Sequence, residues 1–133
     1  MKVVFDTNIL VSALVFPGGQ ADAALQRVVD ERDELILSKP ILDELLGVLA
    51  RKFGRDIEQL SRIAMMLSDL ATMVKSGRRL HVLADEPDNR ILECALAGHA
   101  NAIVTGDQAL LALGEHGGVA MLSLRSYLSA DNQ

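Results

Sequence analysis

The sequence predicts an α/β fold built on a central, mainly parallel five-stranded sheet covered on both faces by helices. Three observations predict it. Short apolar runs alternate with longer stretches whose apolar residues recur at helical spacing. Glycine and proline mark breaks between them, as at Pro17 to Gly19 and at Gly54. A chain of 133 residues that is 50% hydrophobic also has the size and apolar content of one compact domain, here taken as residues 1–128 with a polar tail over 129–133. Strands alternating with helices imply parallel neighbours joined by right-handed crossovers.

Lys2 to Phe5 is an apolar run ending in Asp6, which reads as a buried strand with a carboxylate at its carboxyl end. Ile9 to Phe16 starts a helix that Pro17, Gly18 and Gly19 interrupt, and Ala21, Ala24, Leu25, Val28 and Val29 then repeat with helical period. Glu34 to Leu37 is a second strand. Ser38 supplies a hydroxyl N-cap and Pro40 a first-turn proline for a helix reaching about Phe53. Its apolar stripe is Ile41, Leu42, Leu45, Leu46, Val48 and Leu49, with Glu44 on the border and Asp43 further from it. Beyond Gly54, Ile57, Leu60, Ala64, Leu67, Ala71 and Val74 keep the period, so that helix is expected to run on to a C-cap at Gly77. Leu80 to Leu83 is expected to be the third strand, and Ala84 to Asn89 a loop before a helix bearing Ile91, Leu92, Ala95 and Leu96. Ala102 to Val104 is the fourth strand, closed by Thr105, Gly106 and Asp107. Gln108 to Leu113 is a short helix, Val119 to Leu122 the fifth strand, and Arg125 to Leu128 a last helical turn.

Composition narrows the function. The formal net charge of −5 excludes a module that grips nucleic acid by a broad cationic face, and three Phe, one Tyr and no Trp exclude an aromatic stacking platform. A single cysteine, Cys94, leaves no internal disulfide and no cysteine zinc site, and reads as an inert buried side chain. The opening MKVVFDTN meets Asp6 too early to be a signal peptide or a membrane span, so the expectation is a soluble, cytoplasmic protein.

In open α/β sheets, ligands bind outside the carboxyl ends of the strands. Asp6, Asp88 and Asp107 are placed there, and Glu44 joins them if the first half of its helix packs near that edge. Any one of these Asp residues alone reads as a helix N-cap, and Glu44 alone as a solvated helix residue. Converging, they repel one another and are costly to desolvate unless a cation neutralises them. Oxygen ligands without His or Cys suit Mg²⁺ or Mn²⁺, ions that activate water and stabilise charge on a phosphodiester.

The VFDTN around Asp6, the acidic helix position Glu44, the DEPDN holding Asp88 and the IVTGD ending in Asp107 resemble, in order and spacing from Lys2 to about Leu124, the four-carboxylate signature of PIN domains. VapC-like toxin ribonucleases of toxin–antitoxin systems are the most similar subgroup. The resemblance implies a three-layer αβα sandwich, Mg²⁺ or Mn²⁺ dependence, endonucleolytic cleavage of RNA, a homodimer and a cognate antitoxin. It also implies that Asp6, Glu44, Asp88 and Asp107 are the metal and catalytic positions, with Asn8 and Thr105 as supporting polar groups. Asp85 reads either as a further acid of the site or as a loop-fixing residue.

Two other readings are weighed against this one. An aspartyl-nucleophile phosphatase would use Asp6 and a late Gly106–Asp107 motif, but Asn8 stands where its second Asp belongs, and no lysine lies between the expected third and fourth strands to orient a phosphoryl group. A non-catalytic PIN-fold binding or dimerisation module would not need all four acids. Arg51, Lys52 and Arg55 near Gly54, and Arg78 and Arg79 after Gly77, read either as phosphate contacts or as cations offsetting helix dipoles. Met65, Met66 and Met73 read as packing or interface residues, and His81, His99 and His116 lack metal-ligand spacing.

Overall fold

Val3, Val4 and Phe5 are all buried, and a strand with no exposed side must lie inside a sheet with helices above and below. The structure, a computed structural model describing residues 1–129, puts that strand, β1 (Lys2–Phe5), at the centre. The six strands are ordered β3-β2-β1-β4-β6-β5, with β2 Glu34–Ser38, β3 Thr72–Val74, β4 Ala102–Val104, β5 Glu115–His116 and β6 Val119–Leu122. All neighbours are parallel except β5 and β6. From β1 the chain steps outward through α1 (Thr7–Val15) and α2 (Gln20–Val29) to β2, then through α3 (Lys39–Phe53) and α4 (Ile57–Leu70) to β3. It then crosses back through α5 (Glu86–Ala97) to β4 on the other side of β1, and continues through α6 (Gln108–Leu113) and the hairpin to α7 (Leu124–Ser129). Right-handed crossovers running in opposite directions place their helices on opposite faces, which yields the three-layer αβα sandwich.

The point where the chain reverses direction lies between β1 and β4. Their registers align Val3 with Ala102 and Phe5 with Val104, and the Asp6 N–H donates to the Val104 carbonyl at 2.9 Å. Open sheets of this kind have their crevice at that junction, beyond the carboxyl ends of the diverging strands.

Four expectations are corrected. The sheet has six strands rather than five, because Glu115–His116 folds back on Val119 through Gly117 and Gly118. Those glycines have φ of +57° and +84°, the left-handed backbone that a two-residue hairpin turn demands. The long helix ends at Leu70 rather than at Gly77, and Thr72–Val74 pairs with Ile36–Ser38 as β3. Leu80 to Leu83 is not a strand. Its backbone is bound by side chains of α5: Asn89 Oδ1 accepts the Val82 and Leu83 N–H groups at 3.0 and 2.9 Å, Asn89 Nδ2 donates to the Leu83 carbonyl, and Glu93 accepts the Leu80 N–H at 2.7 Å. Finally, α5 begins at Glu86, so Asp88 and Asn89 lie in its first turn rather than in a loop.

Smaller differences concern single residues. Ser38 stands at the N-cap of α3 but its hydroxyl makes no cap hydrogen bond, and α7 reaches Ser129, one residue into the expected tail. Residues 130–133 lie outside the described residues. Met65, Met66 and Met73 are exposed rather than packed in the core, whereas Cys94 is buried and its thiol is pushed up to about 11 by that burial. Among the described residues no helix is long and apolar enough to cross a membrane.

Candidate active site

Asp6 leaves β1 with its carboxyl turned into the protein. It caps α1, with Oδ1 accepting the Asn8 N–H at 3.3 Å, and only 5% of the residue is exposed. Such burial is tolerable because Thr105, fully buried at the end of β4, donates its hydroxyl to Asp6 Oδ2 at 2.6 Å. The same hydroxyl oxygen accepts the Asp107 N–H at 3.0 Å. Thr105 therefore bridges two acids that lie about one hundred residues apart in the chain, and Asp107 in turn caps α6 by accepting the Leu110 N–H at 3.1 Å. The supporting role expected of Thr105 has a geometric basis. Asn8 offers only its backbone N–H, and the residue is exposed.

Asp88 is not a cap. It sits in the first turn of α5, buried, and its Oδ2 has no hydrogen-bond partner. Burial pushes its carboxyl up to about 7, and the charges of Asp107, Asp85, Asp6 and Glu44 push in the same direction. Glu44, half-buried on α3, is raised by burial and by Asp6 and Asp85, with Arg51 acting against them. Asp6 too is raised, mainly by burial and further by Asp107, although its hydrogen bonds from Thr105 and Asn8 oppose this. Asp88 thus feels the other three expected acids, while Asp6 feels Asp107 and Glu44 feels Asp6, so the four form one electrostatically linked group.

Asp85 and Asp43 separate cleanly. Asp85 occupies the N-cap of α5 without capping it and acts on both Glu44 and Asp88, so it is a fifth carboxylate of the same field rather than a loop clip. Asp43 pairs with Lys39 at 2.8 Å on the outer side of α3. The residue that sequence reasoning misses is Asn89, fully buried, which fastens residues 82–83 onto α5 directly beside Asp88. Its polar side chain three residues before buried Leu92 is the available signal.

Among the described residues no group of three or more His, Cys, Asp or Glu side chains stands close enough to hold a metal ion as placed. The donor set is nonetheless one that a hard divalent cation fits: acidic oxygens alone, raised carboxyls, and a buried oxygen of Asp88 with no donor to satisfy it. A groove of about 800 Å³, lined by Lys2, Asp33 and Asn101 among others, includes none of these four acids.

The comparisons with known proteins agree with this architecture. The PIN domain family model matches residues 2–109. An uncharacterised protein of Methanocaldococcus jannaschii is 30% identical over 117 residues, covering 85% of this chain and 75% of that one. Among solved structures, a chain of the crystal structure of VapBC2 from Rickettsia felis, bound to a DNA fragment from their promoter, superposes with a TM-score of 0.65 at 15% identity. That superposition covers 92% of this chain and 98% of the other, and at such low identity it speaks for the fold alone. On the family match, which takes in Asp6, Glu44, Asp88 and Asp107, the chain belongs to the PIN domain family, whose members are generally nucleases.

Proposed function

We propose that the protein is a Mg²⁺- or Mn²⁺-dependent endoribonuclease in which Asp6, Glu44, Asp88 and Asp107 hold the metal and carry the cleavage, with Asp85 adding to the field. The observation that carries this reading is Asp88: a buried carboxyl pushed up to about 7, with one oxygen unpartnered and acids on every side. A divalent cation among them would offset the repulsion and, when bound, supply a water activated for attack and a counter-charge for the phosphodiester. The chain's own share is placement. Thr105 orients Asp6 toward the junction, the α6 cap orients Asp107, and the Asn89 clamp holds the turn that presents Asp85 and Asp88.

The VapBC2 likeness in fold favours a further reading of the protein as a toxin held inactive by a cognate antitoxin; a homodimer in the cytoplasm is part of the same proposal. The test of the enzymatic part is cleavage of a mixed RNA pool with Mn²⁺, with and without EDTA, by the wild type and by Asp6→Asn. Internal cuts that require the metal and vanish in Asp6→Asn are expected. Cleavage that survives EDTA or the substitution would refute the assignment.

A further inference from the structure

The acid-lined junction repels any phosphodiester that approaches it, so substrate capture calls for a cation belonging to the chain itself. Arg51 lies seven residues after Glu44 on α3, two turns along and on the same face. Helical side chains lean toward the N-terminus, so Arg51 is aimed back at Glu44. The residue one turn before it is Gly47, and the guanidinium lies over that bare backbone: a Cβ built on Gly47 would stand 2.8 Å from Nη1 and 3.6 Å from Cζ. Alanine there would force the guanidinium aside.

This placement separates Arg51 from its neighbours. A cation offsetting the α3 macrodipole would reach forward to the last carbonyls, near the Gly54 cap, where Lys52 and Arg55 remain available. Arg51 instead turns a full helical turn away from that end, toward the acids. It reaches Glu44 electrostatically, yet among the described residues no carboxylate lies within ion-pair distance of it, which leaves its donor fork open.

We propose that Arg51, seated on Gly47, contacts the RNA phosphate at the edge of the acidic junction. The guanidinium offers two parallel N–H donors to phosphate oxygens, a geometry lysine does not reproduce. The assignment rests on the ribonuclease reading given above and adds to it the group that receives the substrate.

The test compares Arg51→Met, Arg51→Lys and Gly47→Ala. Binding of a mixed-sequence single-stranded RNA is followed by fluorescence anisotropy in the inactive Asp6→Asn background, cleavage in the active one, and Mn²⁺ affinity by calorimetry. Arg51→Met should weaken RNA binding roughly tenfold and lower the slope of log affinity against log salt by about 0.7. It should leave Mn²⁺ binding unchanged or tighter, because a nearby positive charge has gone. Arg51→Lys should recover the salt slope but not the cleavage rate, and Gly47→Ala should fall between wild type and Arg51→Met. RNA affinity indifferent to Arg51, or Mn²⁺ affinity lost with it, would overturn the proposal while leaving the nuclease reading intact. A wild type that binds RNA through Arg51 but never cuts it would sink the nuclease reading alone, and one that neither binds nor cuts would sink both.

Discussion

Replacing Asp88 by Asn removes one charge from the crowded junction, and the structure sets the direction and scale of the result. The gap between the ordinary 3.8 and about 7 amounts, at about 1.36 kcal/mol per pH unit, to an upper bound of about 4 kcal/mol for ionising Asp88 in the folded chain. Asp85 is exposed and Asp107 half-buried, so solvent screens the cluster and ~1–2 kcal/mol is the working figure. The sign follows from linkage. A carboxyl raised by folding is protonated in the folded chain at pH values where the unfolded chain has released its proton. Its contribution to stability is therefore present below about 4 and lost as pH rises toward about 7. In EDTA the wild type should lose stability from pH 5 to pH 8 and Asp88→Asn should lose less. At pH 8 the variant should melt roughly 4–8 °C higher. The new amide also gives the neighbouring carboxylates a donor where Oδ2 had none. Adding Mn²⁺ should reverse the order, raising the wild-type midpoint more than the variant's, while cleavage disappears in Asp88→Asn. A variant that melts lower than wild type in EDTA at pH 8 would refute the electrostatic argument.

Two further substitutions probe the scaffold of the site. Thr105→Val keeps the shape but removes the donor to Asp6 and the acceptor for the Asp107 N–H; it should cost ~1–3 kcal/mol in chemical denaturation and move the acid limb of the pH–activity profile upward, since the Asp6 pKa rises once the hydrogen bond that holds it down is gone, and Thr105→Ser should restore both. Asn89→Ala leaves the Val82 and Leu83 N–H groups without their acceptor, so hydrogen exchange at those two amides should accelerate at least tenfold, with a global loss of about 2 kcal/mol; unchanged exchange there would show that the clamp is not what holds the segment.

The parts of the site legible in the sequence are those tied to short, wholly apolar strands. Phe5 and Val104 end β1 and β4, so the apolar pattern alone places Asp6 and Asp107 at strand ends. Glu44 is legible from its position on the α3 stripe, and it does stand half-buried beside Asp6 and Asp85. The misleading stretch lies between α3 and β4. Ala71 and Val74 fall in phase with the α4 stripe although the chain has already turned extended, with Ala71 at ψ 160°, and Thr72–Val74 is fixed only by pairing with β2, a contact that local periodicity does not contain. Leu80 to Leu83 carries the apolar pattern of a strand, but its N–H groups are taken by the Asn89 and Glu93 side chains of the following helix rather than by a ladder partner, a choice that apolar periodicity does not contain. Pro87 reads as a loop residue in the sequence, whereas proline in the first turn of α5 costs no hydrogen bond. The two glycines of the β5–β6 hairpin do offer a readable turn signal.

The Thr105 bridge also has a temporal side. Asp6, Glu44, Asp85 and Asp88 all leave the ribosome before β4 does, yet the junction they serve exists only after Ala102–Val104 has docked against β1. Most of the acids are therefore made before the strand that gathers them, and the pocket is completed only when β4 and Thr105 have docked beside Asp6.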